Sequence, residues 1–490
     1  MKLPRLLTLS SIYLGGDLLR RTVGLLMIPL YTSYLTPADY GVIELIELFV
    51  SVVGISIGFG AISDAMVRVH HECTTTNDRS SVVFTSLTLV LAGGALATVG
   101  AWIFARGISQ VVFNSVAYSG IVKAAFLALT FGGLAEVALL YQRIRQRAVV
   151  YVIATAVQLG LNLGLNIYFI AGLKLGVKGF VAAKVISSVL FCVLLMVVTL
   201  RETGVCFKMD IVRGMTRFGS PLVASSIALF AIHFSDRFFI SHFNNLADVG
   251  VYALAYKMGF MVTYLVGQPF GMIWNVSLYA HMSGPAWRQE YARLAKYLFF
   301  ALVFVALGLS IFAKEFLALV VPEPFRRAAF FVPIIAFAYA FREVGDFFRG
   351  LLFGTGSTVA FSKLTSLCCV VNVALNLWLI PVYGPLGAAW STLVTWLLYL
   401  ALCWIKAQRV NPIPIRVRPI AAMSALAVAV YGLSVLVAGL PSLWQWAADA
   451  VLAAAFPIGL WYAGYLSSAE KAVIVAVLRR QTHAAVAVAE

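Results

Sequence analysis

Six basic residues lie inside long apolar stretches of this 490-residue chain, where an ionised side chain is costly. A charge at the centre of a bilayer costs roughly 2.5–3.5 kcal/mol on insertion scales, so such residues normally face a protein interior or a water-filled cavity. Cations gathered around one cavity would bind an anion, and the planar fork of arginine suits phosphate in particular. We therefore predict a substrate-binding cationic cavity lined by Arg20, Arg21, Lys184, Arg237, Lys257 and Arg342.

Three aspartates lie next to these arginines in the sequence or one helical turn away, namely Asp17, Asp236 and Asp346. They have two interpretations. They carry a coupling ion, either a proton or sodium, or they hold the arginines by charge pairing within a helix. Charge pairing within a helix is enough to explain each aspartate–arginine pair when that pair is considered by itself. The cysteines and histidines lack the spacing of metal ligands, so we predict no metal site, no cofactor and no catalytic residue.

The composition is that of a membrane protein. Hydrophobic residues make up 62% of the chain, charged residues 11%, and the mean hydropathy is +0.94. Apolar runs of about 20 residues, long enough to cross a hydrocarbon core of roughly 30 Å, recur from end to end. We predict an all-α polytopic membrane protein with about 14 transmembrane helices. The connections are too short to hold a soluble domain.

The chain also repeats itself. Residues 38–45 begin Ala-Asp-Tyr-Gly-Val, and residues 247–254 begin Ala-Asp-Val-Gly-Val. Two asparagine pairs at i,i+4 spacing, Asn162/Asn166 and Asn372/Asn376, each precede a Gly-x-x-Gly turn. An apolar chain that repeats over about 200 residues is typical of a duplicated transporter bundle. The asparagine pairs are predicted to form hydrogen bonds between helices.

The repeats give the predicted domain organisation. Both copies of the first motif follow an odd number of spans, which makes the halves parallel repeats rather than inverted ones. We predict two six-helix bundles around a central cavity, followed by two further spans. The predicted boundaries are 1–200 for the first bundle, 201–217 for a cytoplasmic linker, 218–406 for the second bundle, and 407–490 for spans 13 and 14 with the tail.

Charge predicts the orientation. The formal net charge is +16, but the 36 Lys and Arg residues are not spread evenly. Most of them fall in alternate connections, on the side of the membrane that holds the N-terminus. This is the positive-inside pattern, and it places both termini in the cytoplasm. The basic excess therefore reports topology, and we predict no nucleic-acid partner.

Several motifs resemble a known family. They are Arg217-Phe-Gly-Ser-Pro-Leu222, Ser235-Asp-Arg-Phe-Phe-Ile240 and Gly250-Val-Tyr-Ala-Leu-Ala-Tyr-Lys257, together with the opening Pro29-Leu-Tyr31 and Leu35-Thr-Pro-Ala-Asp-Tyr-Gly41. The chain resembles the polysaccharide-transporter (Wzx-type flippase) branch of the multidrug/oligosaccharidyl-lipid/polysaccharide exporter superfamily. The resemblance extends over the whole chain in length and hydropathy, and it is most specific around residues 217–257.

The resemblance implies a function without catalysis. Two six-helix bundles would form a V around the cavity and move cargo by alternating access. The implied cargo is an undecaprenyl-pyrophosphate-linked oligosaccharide, carried from the cytoplasmic to the periplasmic leaflet of the bacterial inner membrane. The product would be a surface polysaccharide such as O-antigen, capsule or exopolysaccharide. The lipid bilayer, a polysaccharide polymerase and a chain-length regulator would be its partners.

Three other functions remain open. A lipid II flippase of the same superfamily would need the same cations. A drug/cation antiporter usually has 12 spans and a more acidic or neutral cavity. A membrane glycan polymerase or ligase would be an enzyme on related substrates, and it would call for an acid/base site, usually on a large extracytoplasmic loop.

Overall fold

The fold is known from a computed structural model. It describes residues 24, 26–272, 274, 287–354, 358–415, 417–437, 439, 442–463, 465 and 471. Asp17, Arg20 and Arg21 therefore lie outside the described residues. Within these ranges every regular element is helical. The chain divides into two compact units, the first formed by Met1–Leu254, Val320–Arg327 and Thr365–Ser391, the second by Ala255–Leu319, Ala328–Leu364 and Thr392–Glu490.

After a helical segment at 26–34, the α-helices follow one another with short connections. They are α1 (Pro37–Ile57), α2 (Phe59–Glu72), α3 (Thr76–Ile103), α4 (Ala105–Phe113), α5 (Ser119–Ile144), α6 (Ala148–Asn166), α7 (Gly176–Thr203), α8 (Met209–Phe243), α9 (Leu246–Gly259), α10 (Trp287–Val320), α11 (Val332–Gly354), α12 (Thr358–Tyr383), α13 (Pro385–Val410), α14 (Val417–Leu436) and α15 (Ser442–Tyr462).

These helices confirm the predicted all-α polytopic membrane fold. In the described part of the chain, 10 helical segments are long and apolar enough to span a membrane, or 11 if the bent pair Glu323–Phe330 and Val332–Leu351 counts as one span. The sequence predicts about 14, and the first of those spans falls largely outside the described residues. The V arrangement of the bundles and their predicted boundaries stay predictions.

Two hairpins share the same turn geometry, as the repeat predicts. Gly176 opens α7 and Gly384 precedes α13, and both have φ +57°. Glycine adopts this left-handed conformation without the steric cost that a Cβ brings. Three residues later a second glycine lies against a backbone carbonyl of the preceding helix. A Cβ on Gly179 would be 3.0 Å from the Phe169 carbonyl oxygen, and one on Gly387 would be 2.3 Å from that of Leu379.

The asparagine pairs join the helices of these hairpins. Asn162 Nδ2 on α6 donates to Ser187 Oγ on α7 at 3.3 Å, and Asn372 Nδ2 on α12 donates to Ser391 Oγ on α13 at 3.4 Å. In both copies the asparagine one turn later donates to its neighbour's amide oxygen, at 3.0 and 3.1 Å. The predicted hydrogen bonds between helices are confirmed. The two repeats therefore share these polar contacts as well as their sequence motifs.

One end of the first unit carries paired charges. Arg147, before α6, lies 2.6 Å from Glu202 near the end of α7, and the Lys208 ammonium, before α8, pairs with Asp78 at the start of α3. The hydrogen bond to Glu202 raises the pKa of Arg147, and the bond to Asp78 raises the pKa of Lys208. These connections therefore meet at one end of the unit, as the alternation of spans requires.

We predict that Gly387→Ala destabilises the α12–α13 hairpin, because a backbone oxygen cannot move aside as a side chain can. Overpacking of this kind costs about 1–3 kcal/mol. Thermal unfolding of the purified protein in detergent measures the effect. Gly107→Ala is the control, since a Cβ there meets nothing within 4 Å. Equal melting of the two variants would contradict the prediction.

Candidate functional site

Four charged residues lie close together on α11. Arg342 Nη1 is 3.1 Å from Glu343 Oε1, and its Nη2 is 3.3 Å from Asp346 Oδ2. Arg349 Nη1 is 3.2 Å from Asp346 Oδ1. The spacing of 342, 346 and 349 places them on one helical face. Two cations face two carboxylates, so the α11 charge cluster is formally neutral.

Two neighbouring segments extend this cluster by hydrogen bonds. Tyr399 on α13 donates its hydroxyl to Asp346 Oδ1 at 2.7 Å. Thr263 Oγ1 donates to Glu343 Oε1 at 2.9 Å. Thr263 begins a wide π-helical turn, Thr263–Gly267, that follows α9. One continuous polar chain thus links the three segments inside the second unit.

The wide turn brings backbone directly against the carboxylate of Glu343. A Cβ on Gly267 would be 2.3 Å from Glu343 Oε2, so glycine is the residue that permits this approach. π-Helical turns are rare in proteins as a whole, but those that occur are often found at functional sites. The position of the Glu343 carboxylate is therefore set by both Thr263 and Gly267.

Aromatic rings flank the Arg342 guanidinium. The central guanidinium carbon lies 5.5 Å from the ring centroid of Trp396 and 5.9 Å from the ring centroid of Tyr339. The Tyr339 hydroxyl is in turn hydrogen-bonded to that of Tyr256. The Arg342 side chain keeps 21% of its surface exposed, whereas that of Glu343 keeps 10%. Arg342 is thus held by cation–π contacts and ion pairs, and about a fifth of its side-chain surface stays exposed.

The first unit holds a deeply buried ion pair on α8. The side chains of Asp236 and Arg237 are 2% and 3% exposed, and Arg237 Nη1 lies 3.0 Å from Asp236 Oδ1. Tyr252 on α9 donates its hydroxyl to Asp236 Oδ2 at 2.8 Å. The guanidinium also faces the rings of Phe234 and Tyr252, at 5.2 and 5.8 Å. The surroundings of Arg237 are those of a packed core.

The two predicted lysines have different surroundings. Lys184 on α7 forms an ion pair with Glu47 on α1, and both side chains stay partly exposed, at 35% and 38%. Lys257, near the end of α9, is half-buried beside the fully packed Tyr256. The structure thus gives Lys184, Arg237 and Arg342 each a carboxylate partner, the first two within one unit and Arg342 within the other.

Sequence reasoning found the charges of α11 but not their partners. Arg342 and Asp346 come together as predicted, and the sequence also shows Glu343 as a charge in the same span. Thr263 and Tyr399 carry no signal in the sequence, because they are ordinary polar residues far from α11 along the chain. Their contribution needs the packing of three helical segments.

Comparison with known proteins then decides the family. A family model described as "Polysaccharide biosynthesis protein" matches residues 33–329, which is more than half of the chain. The chain belongs to this family. The sequence prediction of a polysaccharide-transporter relative within the exporter superfamily is thereby confirmed. A search of curated proteins finds no match.

Solved structures share the fold over most of the chain. The lipid II flippase MurJ in an inward closed conformation is similar with a TM-score of 0.74 at 10% identity, covering 92% of this chain and 98% of MurJ. An inward-facing multidrug resistance MATE family transporter of the MOP superfamily has a TM-score of 0.64 at 16% identity, covering 79% and 94%. A mutant of the Vibrio cholerae MATE transporter VcmN has 0.58 at 14%, covering 83% and 96%. At these identities the likeness establishes the fold.

We predict that Asp236→Leu strongly destabilises the protein, by about 3–5 kcal/mol, because it leaves the buried Arg237 without its carboxylate. The double variant Asp236→Leu/Arg237→Met should regain most of this loss, since apolar residues of similar volume often replace a buried pair at little cost. Thermal unfolding in detergent measures both. A double variant as unstable as the single one would show that the pair itself is needed.

Proposed function

We propose that this protein flips lipid-linked oligosaccharides across the bacterial inner membrane, from the cytoplasmic to the periplasmic leaflet, by alternating access. The family match and the transporter fold support this proposal. The single observation that carries it is Arg342, a partly exposed guanidinium held among aromatic rings in a membrane-spanning helix. We place both termini in the cytoplasm on the positive-inside pattern.

The chemistry of the cargo matches this arrangement. A pyrophosphate and a string of sugars need a polar path, because each hydroxyl left unsatisfied in hydrocarbon costs several kcal/mol, of the order of 4–8 on alkane scales. Arginine binds phosphate oxygens with two parallel hydrogen bonds. Trp396 and Tyr339 are almost fully buried, so their rings hold the Arg342 side chain in place. The phosphate part of such a cargo therefore suits Arg342.

Charge compensation gives the proposed coupling step. In the described conformation the Arg342 guanidinium is shared between Glu343 and Asp346. A phosphate that takes over Arg342 leaves Glu343 without this cation and Asp346 with Arg349 alone, and a carboxylate that loses its cation is costly in this environment. Uptake of a proton or a sodium ion then restores neutrality. Asp346, with Glu343, is therefore our proposed coupling group.

The other predicted cations have lesser or separate roles in the proposal. Lys184 is partly exposed and paired, so it suits a second contact to the cargo. Arg237 would have to leave an almost fully buried pair, which makes Arg342 the better phosphate ligand. Arg20, Arg21 and Lys257 stay in the proposal as further basic residues of the cavity, with Asp17 as the proposed charge partner of the two arginines. Asp236 stays the partner of Arg237.

A lipid II flippase is the second candidate, since MurJ shares the fold over nearly its whole length. Both substrates carry a lipid-linked pyrophosphate, so Arg342 would serve either one. The family match favours a polysaccharide repeat unit as cargo. The surface glycan would then be O-antigen, capsule or exopolysaccharide, made together with a polymerase and a chain-length regulator.

We predict that Arg342→Ala lowers flipping by about 10- to 100-fold, because a hydrogen bond to a charged group is worth about 1.5–3 kcal/mol. Arg342→Lys keeps the charge but loses the planar fork of donors. Its flipping rate should lie between that of Arg342→Ala and that of the unsubstituted protein. The measurement is flipping of a fluorescent polyprenyl-pyrophosphate-linked oligosaccharide by protein reconstituted in vesicles. Arg213→Ala is the control, because the Arg213 side chain is 80% exposed and its surface pair with Asp210 contributes little.

Each outcome of this assay has a definite meaning. Equal flipping by Arg342→Ala and Arg213→Ala would overturn the role of Arg342. Flipping of lipid II but not of the oligosaccharide substrate would favour the second candidate. Transport of a cationic dye instead of either lipid would place the protein with the drug antiporters, and glycosidic-bond formation by the purified protein would make it a polymerase or ligase.

A further inference from the structure

The repeated Ala-Asp-x-Gly turn starts a helix in the same way in both copies. At α1, Thr36 Oγ1 accepts from the Asp39 amide at 3.1 Å and Asp39 Oδ2 accepts from the Thr36 amide at 3.1 Å. At α9, Asn245 Oδ1 accepts from the Asp248 amide at 2.8 Å, and Asn245 Nδ2 donates to Asp248 Oδ2 at 2.9 Å. In both copies the residue before the helix therefore satisfies the backbone amide of the repeated aspartate, and the aspartate side chain accepts a hydrogen bond from that residue in return.

The repeated glycine has a different purpose. A Cβ on Gly41 would lie 2.0 Å from the Leu246 carbonyl oxygen and 3.1 Å from the Gly250 nitrogen. A Cβ on Gly250 would lie 2.0 Å from the Pro37 carbonyl oxygen and 3.0 Å from the Gly41 nitrogen. The two capped turns therefore touch through their backbones, each glycine facing a carbonyl of the other turn.

This contact is reciprocal, because equivalent residues of the two repeats make equivalent contacts. It lies wholly inside the first unit. Side chains on both turns bury it, among them Tyr40, Val42 and Val249, which are at most 1% exposed. The Cα–H groups of the glycines point at carbonyl oxygens, an interaction that is individually weak. We call these two turns the glycine contact.

A cavity of about 270 Å³ begins one helical turn beyond the glycine contact. Its walls come mainly from α1 and α8, with Leu45, Leu48 and Phe49 on one side and Phe234 and Phe238 on the other. The sequence topology places the glycine contact at the far end of the spans, away from the basic connections. Along α1 the contact therefore lies on the far side of this apolar cavity, one turn before its first wall residue, Leu45.

We propose that the glycine contact is the extracytoplasmic gate of the transport cycle, a backbone seal between the two repeat copies that separates when the far side opens. The inference rests on the proposed transport function. The two Cα–H contacts are individually weak, so they add little to the cost of opening. Any side chain at either glycine would prevent closure, because a backbone oxygen 2.0 Å away cannot rotate aside.

The first test measures access to the cavity. Leu48→Cys provides a thiol in the cavity wall, and a membrane-impermeant maleimide added to spheroplasts reports whether the far side is open. Gly41→Ala and Gly250→Ala should each raise the rate of maleimide labelling by about tenfold. We expect this factor because each variant raises the population of the far-side-open state by about the same amount. Gly120→Ala is the matched control, since it lies in the first turn of α5 and a Cβ there meets nothing within 4 Å. The parent without the added cysteine gives the background.

The second test uses amide hydrogen exchange on the same variants. Gly41→Ala should raise exchange in residues 249–254, and Gly250→Ala should raise it in residues 40–45, because the two turns separate together. The double variant should add little to either single one, since both remove the same contact. In the unsubstituted protein the two segments should open at one common rate, which tests the gate even if an alanine variant does not fold.

The outcomes separate the gate from the substrate. Labelling and exchange that match the Gly120→Ala control, or changes confined to the substituted helix, would overturn the gate. Two segments of the unsubstituted protein that open at rates differing by more than about tenfold would overturn it too. Neither readout needs a substrate, so a failure to flip lipid-linked oligosaccharides would refute the proposed function and leave this result standing.

Discussion

Every charge inside a membrane-spanning helix needs a partner, and this requirement shapes the structure around its basic residues. Desolvating an ion costs several kcal/mol even after relaxation, so an arginine in such a helix is held by carboxylates, rings or a ligand. Arg342 has two carboxylates and two aromatic rings. Among the described residues Arg237 contacts the Asp236 carboxylate and a packed aromatic surround.

The two arginines nevertheless differ in what they can do. The Asp236–Arg237 pair is nearly inaccessible, and in the described part of the chain the Asp236 carboxylate contacts Arg237 on α8 and Tyr252 on α9. The pair therefore holds these two helices together. The α11 charge cluster is more open and has one guanidinium divided between two acids. Such sharing can be rearranged without leaving a bare charge, provided that an anion and a small cation arrive together. A neutral cluster is thus compatible with an anionic cargo.

Much of the fold follows from the sequence, and particular residues show why. Spans and their helical nature follow from the length of the apolar runs, and the repeated glycines and asparagines correctly indicate matching turns and helix contacts. The repeat does not reveal that Gly41 and Gly250 touch each other, because a repeated sequence motif does not show whether its two copies are in contact. The sequence likewise predicts Lys184 as a cavity cation without showing Glu47 beside it, 137 residues away.

The candidate site is only half readable for the same reason. Arg342, Glu343 and Asp346 are visible because charges are rare in spans. Thr263, Gly267 and Tyr399 are unremarkable in sequence, and their contribution comes from tertiary packing around a wide helical turn.

The central claim is that a phosphate and the carboxylates of α11 compete for Arg342. Isothermal titration of polyprenyl pyrophosphate into the reconstituted protein, in buffers of different ionisation enthalpy and with or without sodium, counts the cations taken up on binding. The account predicts uptake of about one proton or one sodium ion per anion, reduced by Glu343→Gln, because linkage ties the two events. The account would be contradicted if polyprenyl pyrophosphate bound the unsubstituted protein and Glu343→Gln with equal affinity and without uptake of a proton or a sodium ion.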